Sequence, residues 1–254
     1  MIAISLQSGS NGNCIYIEAE GQKLLFDAGI SGVKAERRLA HHGRNIRDVN
    51  ALIISHEHGD HVRSAGVFNR KYGIPVYITQ STLDAAQRRM NLGRMKDTRH
   101  FISGEQLAFG PVLVDTVATP HDGVDGVAFV IASRGRRLGL LTDLGHVFDG
   151  LADVIASLDA VIIESNYDRK MLTEGPYPHM LKQRIMGPGG HLSNEETAIL
   201  LKKAGKKLTW VCLAHLSEQN NTPPIALETY KKVFGDTVPL VVASRYGVGS
   251  ALSL

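Results

Sequence analysis

One six-residue run holds four side chains of the types that bind metal ions: His56-Glu57-His58-Gly59-Asp60-His61. The apolar run Ala51-Leu52-Ile53-Ile54 before it predicts a buried strand, and the residues from Val62 onward predict a helix. Open α/β sheets usually place ligand sites outside the carboxyl ends of their strands. The first two histidines can reach one point, while the aspartate and the last histidine reach a neighbouring one. We therefore expect a binuclear site, whose mixed imidazole and carboxylate donors leave the metal open.

Two other interpretations of this run are weaker. The helical zinc-peptidase motif H-E-x-x-H begins in the same way, but position 60 is Asp60 where that motif needs histidine. A solvated polar turn is the structural alternative, and the composition of the run makes it improbable. The metal interpretation is kept.

Three later segments can complete the ligand set, since a catalytic metal usually takes about three protein ligands and leaves room for water. The strand-like residues 112–118 are followed by Thr119-Pro120-His121-Asp122, residues 137–141 by Thr142-Asp143, and residues 208–214 by His215. Taken singly, each of these polar residues could equally be a cap or a turn residue. Their shared position after an apolar strand favours the functional interpretation.

Together these residues resemble the successive ligand motifs of the metallo-β-lactamase fold superfamily, over nearly the whole chain. The resemblance implies an α/β fold, a four-layer αβ/βα sandwich of two mixed sheets flanked by helices. It implies that one metal is held by three histidines, and a second by Asp60 and two more histidines, with Asp143 between them. The histidines of the first metal are His56, His58 and His121. Those of the second are His61 and His215.

Further motifs select a branch of the superfamily. The β-lactamases commonly have cysteine where this chain has Asp143, and the oxygen-reducing di-iron branch has a carboxylate at the position of His58. The stretches around Glu164 (Ile162–Tyr167), His191 (Gly190–Glu196) and His215 (Leu213–Ser217) resemble motifs of the RNA-processing and related nucleases. With Ser8–Asn13, they resemble most the subgroup known as YycJ or WalJ, which is regarded as metal-dependent and as exonucleolytic.

The pair His191 and Glu164 is expected to assist catalysis. A histidine at the amino end of a helix can hold phosphate or act as an acid, and a carboxylate can orient the imidazole and favour its protonated form. The alternatives are structural. Ser193 and Glu196 have the spacing of a capping box, so His191 could simply lead into a cap, and Glu164 could be a strand-end carboxylate that points to water.

The loop Ser8-Gly9-Ser10-Asn11-Gly12-Asn13 combines glycines with short polar side chains, so its backbone amides could form a concave anion site. We expect Ser10, Asn11 and Asn13 to contact substrate. An ordinary hairpin turn is the alternative, and the two interpretations are about equally supported.

Bulk composition places few limits on function. No Pro/Gly/Ser-rich linker divides the 254 residues, so we expect one domain over 1–254. The strand-like start lacks a basic leader, no apolar run approaches the roughly 20 residues that span a bilayer, and Cys14 and Cys212 lie in apolar runs. These features favour a cytoplasmic protein with buried thiols and no membrane partner.

The formal charge of +3 neither requires nor excludes nucleic acid. Local basic clusters could follow phosphates or could be solvated surface. They comprise Arg88, Arg89, Arg94, Lys96 and Arg99, and separately Arg134, Arg136 and Arg137.

The expected function is a binuclear metal-dependent phosphodiesterase, most simply an exonuclease with DNA favoured, that needs no organic cofactor. Zn²⁺ or Mn²⁺, with Fe also possible, would generate a bridging hydroxide near neutral pH. Asp60 would orient it, and His191, steered by Glu164, would protonate the leaving sugar oxygen. Two alternatives stay open: a glyoxalase-II-like thioester or lactone hydrolase, and a catalytically idle, metal-stabilised binding module. The role of residues 166–190 is unassigned.

Overall fold

The computed structural model describes residues 1–254. Their contacts divide the chain into two compact units. Unit 1 comprises Met1–Ala118, Gly123–Val127 and Ser244–Ser253. Unit 2 comprises Thr119–Asp122, Ala128–Ala243 and Leu254. The single-domain organisation over 1–254 stays a prediction.

The chain contains fourteen strands, nine α-helices and one 3-10 helix. The strands are β1 Ile2–Gln7, β2 Cys14–Ala19, β3 Gln22–Phe26, β4 Ala51–Ile53, β5 Val76–Tyr77, β6 Thr98–Arg99, β7 Gln106–Phe109, β8 Val112–Ala118, β9 Val127–Ser133, β10 Arg136–Leu141, β11 Ala160–Glu164, β12 Trp210–Ala214, β13 Leu240–Val242 and β14 Leu252–Ser253. The α-helices are α1 Gly32–His41, α2 Gly59–Val62, α3 Ala65–Tyr72, α4 Gln80–Arg89, α5 Leu151–Ala156, α6 Arg169–Glu174, α7 His179–Met186, α8 Asn194–Ala204 and α9 Pro223–Phe234. A 3-10 helix covers Ile46–Asp48.

In unit 1, seven strands form a mixed sheet in the order β14-β1-β2-β3-β4-β5-β6. Strand β2 is antiparallel to both β1 and β3, whereas β3, β4, β5 and β6 pair in parallel. Strands β7 and β8 form an antiparallel hairpin. Parallel strands bring their carboxyl ends to one edge, so the residues after β3 and β4 meet there. That edge carries the run His56–His61.

The core of unit 1 packs α1 and α3 against this sheet. Leu39 of α1 and Phe68 of α3 are fully buried with Leu6, Leu25 and Leu52 of the strands. Side-chain caps fix where helices begin: Ser31 caps α1 and Thr79 caps α4. Each cap satisfies a backbone N–H that the first helical turn leaves without a partner. The helices are thereby anchored at both their caps and their apolar faces.

Unit 2 contains a second mixed sheet. Strand β9 is antiparallel to β10, and β10, β11, β12 and β13 pair in parallel. Strands β11 and β12 are buried along their whole length, as expected for strands covered on both faces. The polar residues Asp143, Glu164 and His215 lie at or just past the carboxyl ends of β10, β11 and β12. The three adjacent parallel strands therefore place them at one sheet edge.

The strands predicted before residues 56, 119, 142 and 215 are confirmed within two residues, whereas the helix predicted from Val62 onward begins at Ala65, after the short α2 that ends at Val62. Cys14 and Cys212 are free and buried, as predicted. Burial raises the pKa of both thiols, that of Cys212 to about 12. None of the helices has the length and apolar character needed to cross a membrane.

Candidate metal centre

The run of residues 56–61, here called the ligand turn, brings its four donor side chains together. Nε2 of His56 lies 3.1 Å from Nδ1 of His58, and the rings of His56 and His61 have centroids 4.1 Å apart. Oδ2 of Asp60 lies 3.4 Å from Nε2 of His61. The turn stays extended through His58 and becomes helical at Gly59. This change of backbone lets donors at both ends of the run converge.

A buried aspartate that the sequence analysis missed supports the turn from behind. Oδ2 of Asp27 lies 2.7 Å from Nδ1 of His61, and the Oγ and N–H of Ser55 donate to the two oxygens of Asp27 at 3.0 and 2.8 Å. A carboxylate on one ring nitrogen orients a histidine and leaves the other nitrogen for a metal. The available signal was that Asp27 follows β3, the parallel neighbour of β4.

Asn13 places the Ser8–Asn13 loop against the ligand turn. Its amide nitrogen donates to Oδ2 of Asp60 at 3.2 Å and lies 2.9 Å from Nε2 of His61. The Asn13 side chain is buried, and these two contacts place it directly against the candidate ligands Asp60 and His61. Ser10 and Asn11 are exposed at the tip of the loop, and the amide of Asn11 donates to the carbonyl of Arg245 at 3.2 Å.

Glu57, between the first two histidines of the turn, has a completely buried side chain. Both of its carboxylate oxygens lie 3.2 Å from the backbone N–H of Val124, which donates to them, and Oε1 forms an ion pair with Nη1 of Arg89 at 3.2 Å. A buried carboxylate needs such partners to remain charged. Glu57 therefore fastens the turn to the last residue of α4 and to the loop before β9, a role that its position in the motif did not reveal.

Unit 2 holds a second group of donors, here called the carboxylate–imidazole cluster: Asp143, Glu164, His191 and His215. One ligand atom from each lies within 4.8 Å of the others. Oδ1 of Asp143 lies 3.5 Å from Nδ1 of His215 and 3.7 Å from Nε2 of His121. Nδ1 of His121 contacts the carbonyl of Gly190 at 2.9 Å, which leaves Nε2 on the side of Asp143. All five predicted residues of this unit are therefore neighbours.

Glu164 is the centre of the cluster's hydrogen bonding. Its Oε1 lies 2.6 Å from Nδ1 of His191 and 3.3 Å from Nδ1 of His215, and its Oε2 accepts from the N–H groups of Leu144 and Leu192. Burial alone would raise the pKa of Glu164, but the two imidazoles outweigh it and hold the pKa well below its usual range. The alternative of a carboxylate that points to water is wrong, because the side chain is fully buried.

His191 lies between two other imidazoles, with ring centroids 4.9 Å from His121 and 5.2 Å from His215. The capping box predicted beside it is also present: the Oγ of Ser193 accepts from the N–H of Glu196, and the Glu196 carboxylate accepts from the N–H of Ser193. The two sequence interpretations are compatible. The cap fixes the start of α8, and the fixed start carries His191 to Glu164.

Two candidate-site residues of this unit adopt the left-handed backbone conformation that residues other than glycine rarely take. Asp143 has φ 56° and His215 has φ 54°. The amide of Asn166 donates to the carbonyl of His215 at 2.8 Å and helps to hold that conformation. Such strain persists only where surrounding contacts impose it, and it concentrates at functional sites. Here it directs two strand-end side chains toward Glu164.

The donors present fit a divalent metal. Imidazole nitrogens beside carboxylate oxygens suit zinc, iron and manganese, and buried groups of this kind need a cation or mutual pairing to offset their desolvation. In His61 and His121 a protein oxygen already engages Nδ1, which leaves Nε2 for a metal. Both units therefore present donor groups suited to metal.

A sequence profile of the metallo-beta-lactamase superfamily matches residues 8–215. The chain belongs to this superfamily, and the recognition and fold class predicted from the sequence are confirmed. The superfamily and the His/Asp groups together establish a metal-dependent hydrolase that binds divalent metal.

Similar proteins place the chain within the superfamily. It is 37% identical over 224 residues to exodeoxyribonuclease WalJ of Streptococcus pneumoniae serotype 2, covering 87% of this chain and 83% of the relative. It is 34% identical over 252 residues to exodeoxyribonuclease YycJ of Bacillus anthracis, covering 98% of this chain and 92% of the relative. Among solved structures, the metallo-beta-lactamase fold protein YhfI from Bacillus subtilis has a TM-score of 0.75 at 16% identity, covering 98% of this chain and 100% of that one.

Proposed function

We propose that this protein is an exonuclease that hydrolyses DNA phosphodiester bonds with the help of two divalent ions. The observation that carries the proposal is the 2.6 Å contact between His191 and the buried Glu164, inside a group of metal-type donors. A hydrolase of a small neutral thioester has no need of a carboxylate-steered imidazole to protonate an alkoxide leaving group. The names of the two relatives, both exodeoxyribonucleases, support DNA as the substrate.

The ligand assignment implied by the superfamily motifs is part of this proposal. Three histidines would hold the first ion, Asp60 and two other histidines would hold the second, and Asp143 would be a ligand of both. The histidines of the first ion are His56, His58 and His121. Those of the second are His61 and His215. The contacts among the ligand-turn side chains and the position of Asp143 beside His121 and His215 support it. We propose Zn²⁺ or Mn²⁺, with iron as a third candidate.

When bound, the ions lower the pKa of a water molecule and offset charge on the attacking and leaving oxygens. Asp60 then orients the attacking water and accepts its proton. His191 delivers a proton to the leaving sugar oxygen from Nε2, since its Nδ1 is engaged by Glu164. Glu164 is a positioning residue in this scheme, because it acts through His191. The loop residues Ser10, Asn11 and Asn13 would contact the substrate near Asp60.

The experiment is cleavage of end-labelled single- and double-stranded DNA and RNA by protein loaded with Zn²⁺ or Mn²⁺. Stepwise loss of DNA nucleotides that vanishes in Asp143→Ala supports the proposal and gives the polarity. Hydrolysis of a small thioester without any nuclease activity would select the glyoxalase-II-like alternative. Binding of nucleic acid without cleavage, with metal changing only the melting temperature, would select the idle binding module.

We further propose that the protein acts in the cytoplasm without an organic cofactor. The two free, buried thiols support a reducing compartment. Fractionation of cells with a compartment-specific marker tests the location, and full activity of purified protein with metal alone tests the absence of a cofactor.

A further inference from the structure

Residues 87–96, which span the last turn of α4 and the loop after it and are here called the basic segment, include three cations without an acidic partner. Arg88, Arg94 and Lys96 are exposed, and none of the three side chains forms an ion pair or a hydrogen bond. Asp97, the carboxylate next in sequence, forms an ion pair with Arg99 at 3.1 Å. Residues 87–93 line an open groove of about 470 Å³. The segment therefore offers one free positive charge in the groove, Arg88, and two more within three residues of its end, Arg94 and Lys96.

The backbone of the basic segment is fixed by helix α3. Nη1 of Arg70 donates to the carbonyls of Leu92 and Arg94 at 2.7 and 3.3 Å. The side-chain oxygen of Asn69 accepts from the N–H of Lys96 at 2.8 Å. Gly66 allows the close approach, since a Cβ built there would lie 1.8 Å from the carbonyl oxygen of Leu92. These contacts hold a loop of irregular backbone in one shape, so its cationic side chains start from fixed backbone positions.

Arg89 connects the segment to the ligand turn. Its Nη1 forms the 3.2 Å ion pair with Glu57, which stands between His56 and His58. Met90 also approaches the turn, because a Cβ built on Gly59 would lie 3.7 Å from its methyl group. Arg89 is thus neutralised by a buried carboxylate, while Arg88 beside it is free. The free cations begin one residue away from a direct contact with the ligand turn.

Unpaired cations on a loop of fixed backbone, next to the candidate ligand turn, are suited to a polyanion that extends beyond the reacting bond. We propose that the basic segment binds the phosphodiester backbone of the nucleic-acid strand beyond the cleaved bond, through Arg88, Arg94 and Lys96. This inference rests on the proposed function. Each contact would release counterions from the strand, so binding through the segment must weaken as salt rises.

The second basic cluster, which follows β9, is partly neutralised by an acidic residue. Arg136 pairs with Asp159 at 3.2 Å, and the same carboxylate accepts from the backbone N–H of Arg137 at 2.8 Å. The exposed lysines at and just after the end of α8, Lys203, Lys206 and Lys207, are also free of ion pairs, but they lie in unit 2. They supply a matched control in which three positive charges are removed elsewhere.

The test compares wild type, R88Q/R94Q/K96Q and K203Q/K206Q/K207Q. Affinity for a fluorescein-labelled 20-nucleotide single strand is measured by anisotropy in EDTA from 50 to 200 mM NaCl. Three phosphate contacts predict that log Kd against log salt is shallower by about 2 in the basic-segment variant, with binding about tenfold or more weaker at low salt. Arg89 stays unchanged, because its loss would leave Glu57 buried and unpaired.

Kinetics provide the second readout. With metal, the basic-segment variant should lose at least tenfold more kcat/KM on the 20-mer than on bis(p-nitrophenyl) phosphate, mainly through KM, whereas the lysine control should match wild type on both. Wild-type salt dependence and KM in the basic-segment variant would overturn the inference alone. A wild-type protein that cleaves no nucleic acid would overturn the proposed function and this inference with it.

Discussion

The ligand turn and the carboxylate–imidazole cluster use similar side chains but are built in opposite ways. The turn takes its donors from six consecutive residues, and its supporting groups, Asp27 and Ser55, lie behind it. The cluster takes its donors from strand ends and a helix start that are far apart in sequence, and Glu164 stands among them. A contiguous motif needs only a local turn, whereas a dispersed one requires the correct sheet. The cluster should therefore be more sensitive to changes of backbone and packing.

The largest effect is expected at Asp143. Asp143→Ala removes the proposed shared ligand and also places alanine at φ 56°, where the left-handed conformation costs about 1–2 kcal/mol per residue. We expect loss of nuclease activity and of bound metal, together with a lower melting temperature of the metal-free protein. Asp143→Asn is the control, since asparagine tolerates this backbone. It should lose activity with little change in the metal-free melting temperature, and equal melting losses in both variants would remove backbone strain from the explanation.

His191→Ala is expected to lower turnover about 10²–10⁴-fold, the usual contribution of a general acid, while metal content stays intact. His146, an exposed histidine of the same unit whose Nδ1 contacts the carbonyl of Pro188, is the matched control. His146→Ala should retain activity. Metal analysis of both variants decides the matter: if His191→Ala is depleted of metal, His191 is a ligand and not the acid.

Asp27→Asn tests the support of the ligand turn. The substitution keeps an amide that tolerates φ 64° but removes the charge that orients His61. Loss of such a supporting carboxylate typically reduces metal affinity about 10–100-fold. Competition with a chelator measures this affinity. Asp48→Asn, which removes a surface partner of Lys23, should leave it unchanged; no difference between the two variants would show that Asp27 does not act on the metal.

Gly29→Ala tests how closely the turn is packed. A Cβ at this position would lie 1.6 Å from the carbonyl oxygen of Asp60, so the backbone must move, and overpacking of this kind costs about 1–3 kcal/mol. Gly21→Ala serves for comparison, because its Cβ would meet nothing within 4 Å and only its φ of 76° is strained. Denaturant unfolding should rank Gly29→Ala as the more destabilised, and the reverse order would contradict the packing argument.

The smallest effect on stability is expected at the loop tip. Asn11→Ala removes one exposed hydrogen bond to Arg245, so the free energy of unfolding should change by no more than about 0.5 kcal/mol. If the loop contacts substrate, KM for DNA rises several-fold while kcat is retained. An unchanged KM in both Asn11→Ala and Ser10→Ala would leave the loop as a hairpin that supports Asp60 through Asn13.

The sequence predicted the ligand turn and the strand ends because metal-type residues followed apolar runs, and chain order alone brings parallel strand ends to one edge. It did not predict Asp27, since a single aspartate after a strand is usually a cap or turn residue. The buried state of Glu57 was equally hidden. Its partners Val124 and Arg89 are 67 and 32 residues away, and only the folded side-chain paths bring them together.

The basic segment shows a similar limit. Sequence placed Arg88, Arg89, Arg94, Lys96 and Arg99 in one group, but the structure separates them by partner: Arg89 pairs with Glu57 and Arg99 with Asp97, while the other three remain free. Charge counting cannot make this distinction, because it depends on which carboxylates are within reach. Only the folded structure shows which of these cations are neutralised and which are free.

The single tryptophan of the chain is Trp210, the first residue of β12, and it is 8% exposed in the strand that leads to His215. Its fluorescence is a built-in optical probe of unit 2, whose emission should shift to longer wavelength when that sheet opens to water. Stopped-flow emission on mixing metal-free protein with Zn²⁺ or Mn²⁺ could thus report whether metal loading tightens the strand that ends at the candidate ligand, without any attached label.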